Sequence, residues 1–455
     1  MTTSTVSTVA AAAGRASREL PWGLAGCGAA LAASTAGELT GQVAWDGAAA
    51  LLFVGGLAVG WRHWLTRPSG RVAVVVALGA LGVAATLAPD PTAVLAAAAR
   101  MSSVVVLMLC VALMRPIFAD RQLDAALAAT LSHVPASLRP AAVVLASCGA
   151  ALGLSFGAVG VAGATLSRRA GPEQGAACSA MRGLVLSMLV APSTASVAAV
   201  MAMFPGVSWG TCLSIGAPLA AIGAVLAAVI TRPLAMEPCA PRHANVALAI
   251  CILAGELGAT VFAHLVLHMS MTLAISIASS CTALTCALYW GRGNVSTALA
   301  RADGELSARW TTIMPETALF LSCGLLVGVM QIPELAATAK SLAIFVLPGG
   351  MWGIAAILFV VPLITVAGIH PMVPFALLGP TVSAASLGIT ETGLYGMWIV
   401  TFMLSMLLSP ISVLTMVTVT SFDIPGRLLG LRGNGLYAAA LAAAATVAIG
   451  LLCAV

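Results

Sequence analysis

Two prolines stand in the middle of long apolar stretches, and each is bordered by serine or threonine side chains. These residues are Pro192 with Ser193, Thr194 and Ser196, and Pro410 with Ser409 and Ser412. A proline inside a helix removes one backbone hydrogen bond and frees carbonyl groups. Freed N–H groups at the start of the outgoing half-helix attract anions, and the freed carbonyls can coordinate a cation. Alternatively, the hydroxyl groups cap the second half-helix or bond back to the preceding turn.

Two ionisable side chains also lie within apolar stretches. His370 stands between Gly368 and Pro371, and Glu256 lies in the middle of a predicted span. His370 could hydrogen-bond a carboxylate or carry a proton, or it could form a structural hydrogen bond to a neighbouring carbonyl. Glu256 could be a proton carrier, or it could be a neutral or paired residue that holds helices together. The structural interpretation is favoured for Glu256, because its part of the chain has no predicted broken helix.

Known enzyme and metal motifs are not convincing in this sequence. The pattern Gly-x-Ser-x-Gly occurs at Ser155 and at Ser208, but neither serine follows a predicted strand, as a nucleophile elbow requires. His264 and His268, with Glu256, form only a weak metal-site pattern. The sequence contains no His-Glu-x-x-His motif and no phosphate-binding loop. We therefore expect no enzyme activity, no metal and no cofactor.

The composition is that of a membrane protein. Hydrophobic residues make up 60% of the 455 residues, charged residues make up only 8%, and the mean hydropathy is +1.06. This composition excludes a soluble enzyme, a disordered protein and a nucleic-acid binder. With about 20 apolar residues per span, the length predicts an all-α polytopic protein of roughly 11–13 helices.

The apolar pattern predicts two similar sets of elements. Each set has an amphipathic arm, a re-entrant hairpin rich in glycine or proline, a helix broken by proline, and a final helix. The arms are 118–135 and 332–343, the hairpins 139–167 and 344–390, and the broken helices 180–204 and 393–421. The hairpin tips fall at Ser155 and at 368–371. We therefore expect that Ser155, Gly368, His370 and Pro371 contribute to a binding site.

An internal repeat supports this pairing. The sequence LSMLVAPS at 186–193 aligns with LSMLLSPI at 404–411. If both hairpins return to the side from which they enter, nearly all basic residues fall on the side of the N-terminus, which the positive-inside rule makes cytoplasmic. The two repeats are then inverted. Arg182, at the start of the first broken helix, could attract anions or could anchor the topology.

This arrangement predicts four segments. Residues 1–117 and 232–331 form scaffold helices, and residues 118–231 and 332–455 form the two inverted repeats. The alanine-rich composition, with no organelle signal, predicts a bacterial inner membrane protein whose N-terminus is cytoplasmic.

In this arrangement the chain resembles the ion transporter superfamily, in particular the divalent anion/sodium symporter family. That family has an arm helix, a re-entrant hairpin, an unwound helix and a last helix in each of two inverted halves. The resemblance implies elevator-type transport of di- or tricarboxylates, a homodimer and sodium coupling. The Ser-Asn-Thr signature of the family's hairpin tips is absent here, so either Na⁺ or H⁺ could be the coupling ion.

The sequence therefore predicts a secondary active transporter of a small, carboxylate-like organic anion in the lipid bilayer. The alternative is a proton-coupled exporter or cation/proton antiporter on the same architecture, with Glu256 and His370 as proton carriers. Inverted repeats with broken helices are common to transporters of both kinds.

Overall fold

The computed structural model is α-helical over the part of the chain that it describes. That part is 24–114 and 130–454, with gaps at 155–157, 161, 164–165, 167–173, 192–193, 205–207, 232, 235–245 and 291–293. Seven of the described helices are long and apolar enough to cross a membrane, and five shorter apolar helices accompany them. The prediction of an all-α polytopic membrane protein is confirmed.

The described helices, in chain order, form two series. The first series is α1 (Leu24–Thr40), α2 (Val43–Val59), α3 (Trp61–Trp64), α4 (Pro68–Leu87), α5 (Pro91–Arg100), α6 (Ser102–Ala112), α7 (Arg139–Leu154), α8 (Gln174–Val190), α9 (Ala195–Met203) and α10 (Trp209–Ile230). The second series is α11 (Val246–Leu265), α12 (Met271–Trp290), α13 (Val295–Met330), α14 (Pro333–Val346), α15 (Gly350–Val366), α16 (Met372–Leu378), α17 (Ala384–Leu387), α18 (Glu391–Leu408), α19 (Val413–Phe422) and α20 (Leu431–Leu452).

The chain divides into two compact units. The first unit comprises Met1–Ile117 and Gly255–Gly328, and the second comprises Phe118–Ala254 and Val329–Val455. Both predicted broken helices belong to the second unit, whereas Glu256 belongs to the first.

Close backbone packing characterises the first unit. A Cβ atom at Gly324 in α13 would lie 2.7 Å from the Cα atom of Ala98 in α5. Such an approach requires a residue without a side chain, as is common where membrane helices pack together. Trp310 of α13 stacks on Phe53 of α2, with 6.1 Å between the ring centroids.

Both predicted interruptions of the broken helices are present. In the first repeat α8 ends at Val190 and α9 begins at Ala195. In the second repeat α18 ends at Leu408 and α19 begins at Val413. Each interruption lies at the proline that the sequence places there, although Pro192 itself is outside the described residues.

The chain between α15 and α18 doubles back on itself, as the second predicted hairpin requires. A Cβ atom at Gly353, near the start of α15, would lie 2.7 Å from Cδ2 of Leu387, four residues before α18. Near the end of α15, the hydroxyl of Thr365 donates a hydrogen bond of 3.3 Å to the carbonyl of Ser405, near the end of α18. The two helices are therefore parallel, and α16 and α17 return the chain to its starting level.

The two broken helices run in opposite directions. The turn after α9 lies at the start of α18, where Phe204 packs on Tyr395 with 5.1 Å between the ring centroids. The turn after α19 lies at the start of α8, where the side-chain amide of Gln174 donates to the carbonyl of Leu428 at 2.7 Å. Each repeat thus places its turn against the other repeat's helix start, which is the relation expected of inverted repeats.

Several sequence predictions fall outside the described residues. These are Ser155 at the first hairpin tip, Pro192, Ser193 and most of the first amphipathic arm. The first helix of the first predicted hairpin is α7. The second amphipathic arm corresponds to α14. The four-segment domain division stays a prediction.

Candidate functional site

The second helix break is closed by its own hydroxyl groups. Ser412 caps α19 by accepting a hydrogen bond from the backbone N–H of Thr415 at 3.2 Å. Its hydroxyl also donates to the carbonyl of Met406 at 2.8 Å, the carbonyl that loses its helical partner because Pro410 has no N–H. Thr415 donates to the carbonyl of Ser409 at 2.8 Å. Ser412 is therefore part of the structure of the break, which is the capping interpretation that the sequence left open.

Two other hydroxyl groups at this break have no such role. The Oγ atoms of Ser405 and Ser409 are buried and have no hydrogen-bond partner among the described residues. Residues four apart lie on the same face of a helix, so the two hydroxyls are neighbours. A buried hydroxyl without a partner costs free energy, and this cost is recovered if a ligand or ion occupies the site.

The first break differs from the second at both corresponding positions. Ser187, the repeat counterpart of Ser405, donates its hydroxyl to the carbonyl of Leu184 at 2.6 Å. The counterpart of Ser409 is Ala191, which has no hydroxyl. Among the described residues of the two breaks, the second break is the one with buried hydroxyls that have no hydrogen-bond partner.

Two contacts of the described part of the first break hold its carbonyls. Thr194 is buried, and its hydroxyl donates to the carbonyl of Ala191 at 2.9 Å. The indole of Trp209, at the start of α10, donates to the carbonyl of Val190 at 3.0 Å. Ser196 lies in the first turn of α9. At this break the carbonyls of Ala191 and Val190 therefore accept hydrogen bonds from a hydroxyl group and from an indole N–H.

The tip of the second hairpin holds His370 in the protein interior. Gly368 has φ +92°, a conformation that side-chain-bearing residues rarely adopt, and Pro371 precedes the first residue of α16. His370 is only 2% exposed. Its Nδ1 atom accepts a hydrogen bond from the N–H of Met372 at 3.3 Å.

This hairpin tip packs along the second half of α18. Phe375, just after the tip, meets the rings of Trp398 and Phe402 edge-on, with centroid distances of 5.6 and 5.5 Å. Thr365, just before the tip, bonds the Ser405 carbonyl. The residues on both sides of the tip thus pack against α18 between Trp398 and Ser405. Sequence reasoning proposed His370 and Ser409 together, but it did not single out Ser405, whose spacing of four from Ser409 was the available signal.

Arg182 in α8 is a buried charged side chain of this unit, with 4% of its surface exposed. Its Nε atom donates to Oδ1 of Asn434 at 2.9 Å, Nη2 donates to the carbonyl of Gly433 at 2.9 Å, and Nη1 donates to Oγ1 of Thr231. The guanidinium carbon lies 4.9 Å from the ring centroid of Tyr437. These contacts join the first repeat to the start of α20 in the second repeat.

A cleft of about 330 Å³ lies at the junction of α10, α18 and α20. Its lining is mostly apolar and includes the hydroxyl residues Ser214, Thr390 and Thr392. Ser214 donates its hydroxyl to its own helix, at the carbonyl of Thr211. The cleft does not include any residue that the sequence proposed for binding.

Glu256 is buried in the first unit. Its Oε1 atom accepts a hydrogen bond from the hydroxyl of Ser279 in α12. The neighbouring His264 bonds the carbonyl of Met269 through Nδ1 at 2.8 Å. Among the described residues, no group of three or more histidine, cysteine or carboxylate side chains is arranged to hold a metal ion.

Comparison with known proteins gives one informative result. No protein-family model matches the sequence, and no curated protein matches it. Among solved structures the chain is similar to the YdaH transporter of Alcanivorax borkumensis, with a TM-score of 0.55 and 13% sequence identity. The fold is that of a solved transporter. The similarity covers 82% of this chain and 86% of the YdaH chain, whose topology is described as unusual.

At 13% identity the likeness concerns the fold alone. The chain is therefore a helical polytopic membrane protein with the fold of a solved transporter, and its site has to be argued from its own residues.

Proposed function

We propose that the protein is a secondary active transporter of a small, carboxylate-like organic anion. The observation that carries this proposal is the pair of unpartnered, buried hydroxyls at the break of α18, Ser405 and Ser409. Hydroxyl groups donate readily to a carboxylate, and such charge-assisted hydrogen bonds are stronger than neutral ones. The hairpin that carries His370 packs against the same helix, α18.

The inverted relation of α8 and α18 supports alternating access. Two oppositely oriented repeats with broken helices allow a site to face each side of the membrane in turn. We propose an elevator-type mechanism, in which the second unit carries the solute and the first unit is the scaffold. The likeness of the fold to a solved transporter supports the same conclusion.

Coupling to Na⁺ or H⁺ is part of the proposal. Serine hydroxyls and carbonyls at an unwound helix are suitable oxygen ligands for Na⁺. His370 is the candidate for proton coupling, since an ionisable side chain at membrane depth is a functional candidate. We further propose a homodimer in a bacterial inner membrane, with the N-terminus in the cytoplasm.

Transport by purified protein in proteoliposomes tests the function. Labelled mono-, di- and tricarboxylates are supplied outside, with an imposed Na⁺ gradient, an imposed pH gradient, or neither. We expect saturable uptake of at least one carboxylate that requires one of the two gradients, and counterflow when the same solute is loaded inside. Protein-free liposomes are the control. The absence of both gradient-driven uptake and counterflow for the whole panel would contradict the proposal.

The alternative function is proton-coupled export or cation/proton antiport. Glu256 favours it, because a buried carboxyl group that accepts a hydrogen bond from Ser279 is placed as a proton carrier would be. In that case a cation gradient alone would drive proton movement, with no carboxylate present. Glu256→Gln, which keeps an oxygen for Ser279 to donate to, would abolish this movement.

A further inference from the structure

Arg182 is a buried charge whose contacts are all neutral. Its hydrogen bonds go to the amide oxygen of Asn434, the backbone carbonyl of Gly433 and the hydroxyl of Thr231, and its fourth contact is the ring of Tyr437. Arginine stays protonated in proteins. These partners solvate the guanidinium group but do not cancel its charge, so among the described residues around it the positive charge has no counter-charge.

The inverted fold does not by itself require an arginine at this place. The position 218 residues later, which corresponds to Arg182 in the second repeat, is Val400. Val400 is buried at 1% exposure and sits in α18 as Arg182 sits in α8. One repeat therefore folds around an apolar side chain where the other accommodates a charge, which makes a purely architectural need for the charge less convincing.

The charge lies close to the second helix break. Arg182 bonds the carbonyl of Gly433, and Gly430, three residues earlier, abuts the end of α18, since a Cβ atom there would lie 2.7 Å from the carbonyl of Leu408. The Arg182–Gly433 hydrogen bond, the helix rise of about 1.5 Å per residue from Gly433 back to Gly430, and the approach of Gly430 to Leu408 together give a path on the order of 10 Å from the guanidinium group to the residue before Ser409.

A unit charge at about 10 Å interacts appreciably with an anion inside a protein. With an effective dielectric constant of about 20, Coulomb's law gives a preference of roughly tenfold to twentyfold for one negative charge over none. The effect needs no direct contact, because it acts through the interior of the unit.

We propose that Arg182 is a specificity-determining residue that makes the second helix break prefer anionic over neutral solutes. This inference rests on the proposed function, since it concerns the same site. It adds that the first repeat supplies the charge, whereas the second repeat supplies the hydroxyl donors.

The test compares succinate with its neutral analogue succinamide. Dissociation constants are measured by thermal shift of the full-length protein, because a ligand of the folded state raises its apparent stability. The ratio of the two constants is the anion preference. Arg182→Gln removes the charge, and we expect the preference to fall at least tenfold, because succinate carries two negative charges and succinamide none.

A second variant separates charge from structure. Asn434→Asp keeps an oxygen acceptor for Nε of Arg182 and adds a negative charge beside the guanidinium group. If Arg182 only joins the two repeats, this variant leaves the anion preference unchanged. If Arg182 acts by its charge, the preference in Asn434→Asp falls at least tenfold, as it does in Arg182→Gln, whereas Arg182→Lys keeps most of the preference.

The possible results are distinguishable. Loss of preference in Asn434→Asp together with its retention in Arg182→Lys supports the inference. An unchanged preference in Asn434→Asp overturns it while leaving the transport proposal standing. If the wild-type protein binds neither succinate nor any other carboxylate of the transport panel, the proposed function fails and the inference fails with it.

Discussion

Removal of the unpartnered hydroxyls at the second break is the perturbation that most directly tests the proposed site. Ser409→Ala and Ser405→Ala each delete one hydroxyl and leave the helix backbone intact. Neither hydroxyl bonds the described protein, so the folded state loses no hydrogen bond. A binding-site substitution that also damages the fold would, in contrast, remove a hydrogen bond of the folded state together with the ligand contact.

The expected magnitudes follow from the hydrogen-bonding state of each group. A hydrogen bond to a charged partner contributes about 1.5–3 kcal/mol, and about 1.4 kcal/mol corresponds to a factor of ten. Each substitution should therefore weaken carboxylate binding by about 10–150-fold. Stability without ligand should stay the same or rise, since a buried unpartnered hydroxyl costs about 1–3 kcal/mol.

The repeat supplies a matched control. Ser187 is the counterpart of Ser405, it is equally buried, and its hydroxyl is already bonded to the carbonyl of Leu184. Ser187→Ala should leave carboxylate binding unchanged and lower stability by about 1 kcal/mol at most. Ser412→Ala is the opposite control, because it removes the cap of α19 and should lower the unfolding temperature.

Two measurements are needed for each variant. The unfolding temperature without ligand reports the fold, and its dependence on carboxylate concentration gives the dissociation constant. Initial uptake rates in proteoliposomes then show whether weaker binding slows transport. If Ser405→Ala and Ser409→Ala bind the carboxylate as tightly as the wild type, the reasoning is refuted, whatever their stability.

Two further predictions concern the other unit and the packing of the repeats. If Glu256 only holds Ser279, Glu256→Gln should leave gradient-driven carboxylate uptake intact. If Glu256 carries a proton, the same substitution should remove the pH dependence of the flux. Uptake measured between pH 5.5 and 8 separates these two results. Gly216→Ala should lower stability by about 1–3 kcal/mol or more, because a Cβ atom there would lie 1.8 Å from the carbonyl of Leu189. Gly149→Ala, in the same unit with nothing within 4 Å, should leave the unfolding temperature unchanged.

The sequence predicted the elements of the second unit well where their cause is local. Proline at 410 removes a backbone donor whatever surrounds it, so the end of α18 and the start of α19 could be placed from the sequence. The second hairpin was predictable for a similar reason, since Gly368 and Pro371 restrict the backbone at the turn. The direction of the repeats followed from the distribution of basic residues, which the membrane constrains directly.

The state of each hydroxyl could not be predicted, because it depends on contacts between residues. Ser409 and Ser412 flank the same proline and were equally plausible as ligands. The structure distinguishes them, since the hydroxyl of Ser412 fills the position left by the missing N–H of Pro410, whereas the hydroxyl of Ser409 does not bond the described protein. The role of Arg182, which could attract anions or anchor the topology, could not be predicted for the same reason. Its contact with Asn434 joins residues 252 positions apart, and no local pattern predicts such a pair.

The differences between the two repeats are as informative as their likeness. A strictly symmetric protein would have equal breaks, each with the same hydroxyls and the same charge. Here the second break has Ser409 where the first has Ala191, and α8 has Arg182 where α18 has Val400. Each repeat folds with its own residue at the corresponding place, so the repeated architecture alone does not dictate either residue. Binding explains them better: one anion needs hydrogen-bond donors at one point and a positive charge at a distance, and the two repeats supply one requirement each.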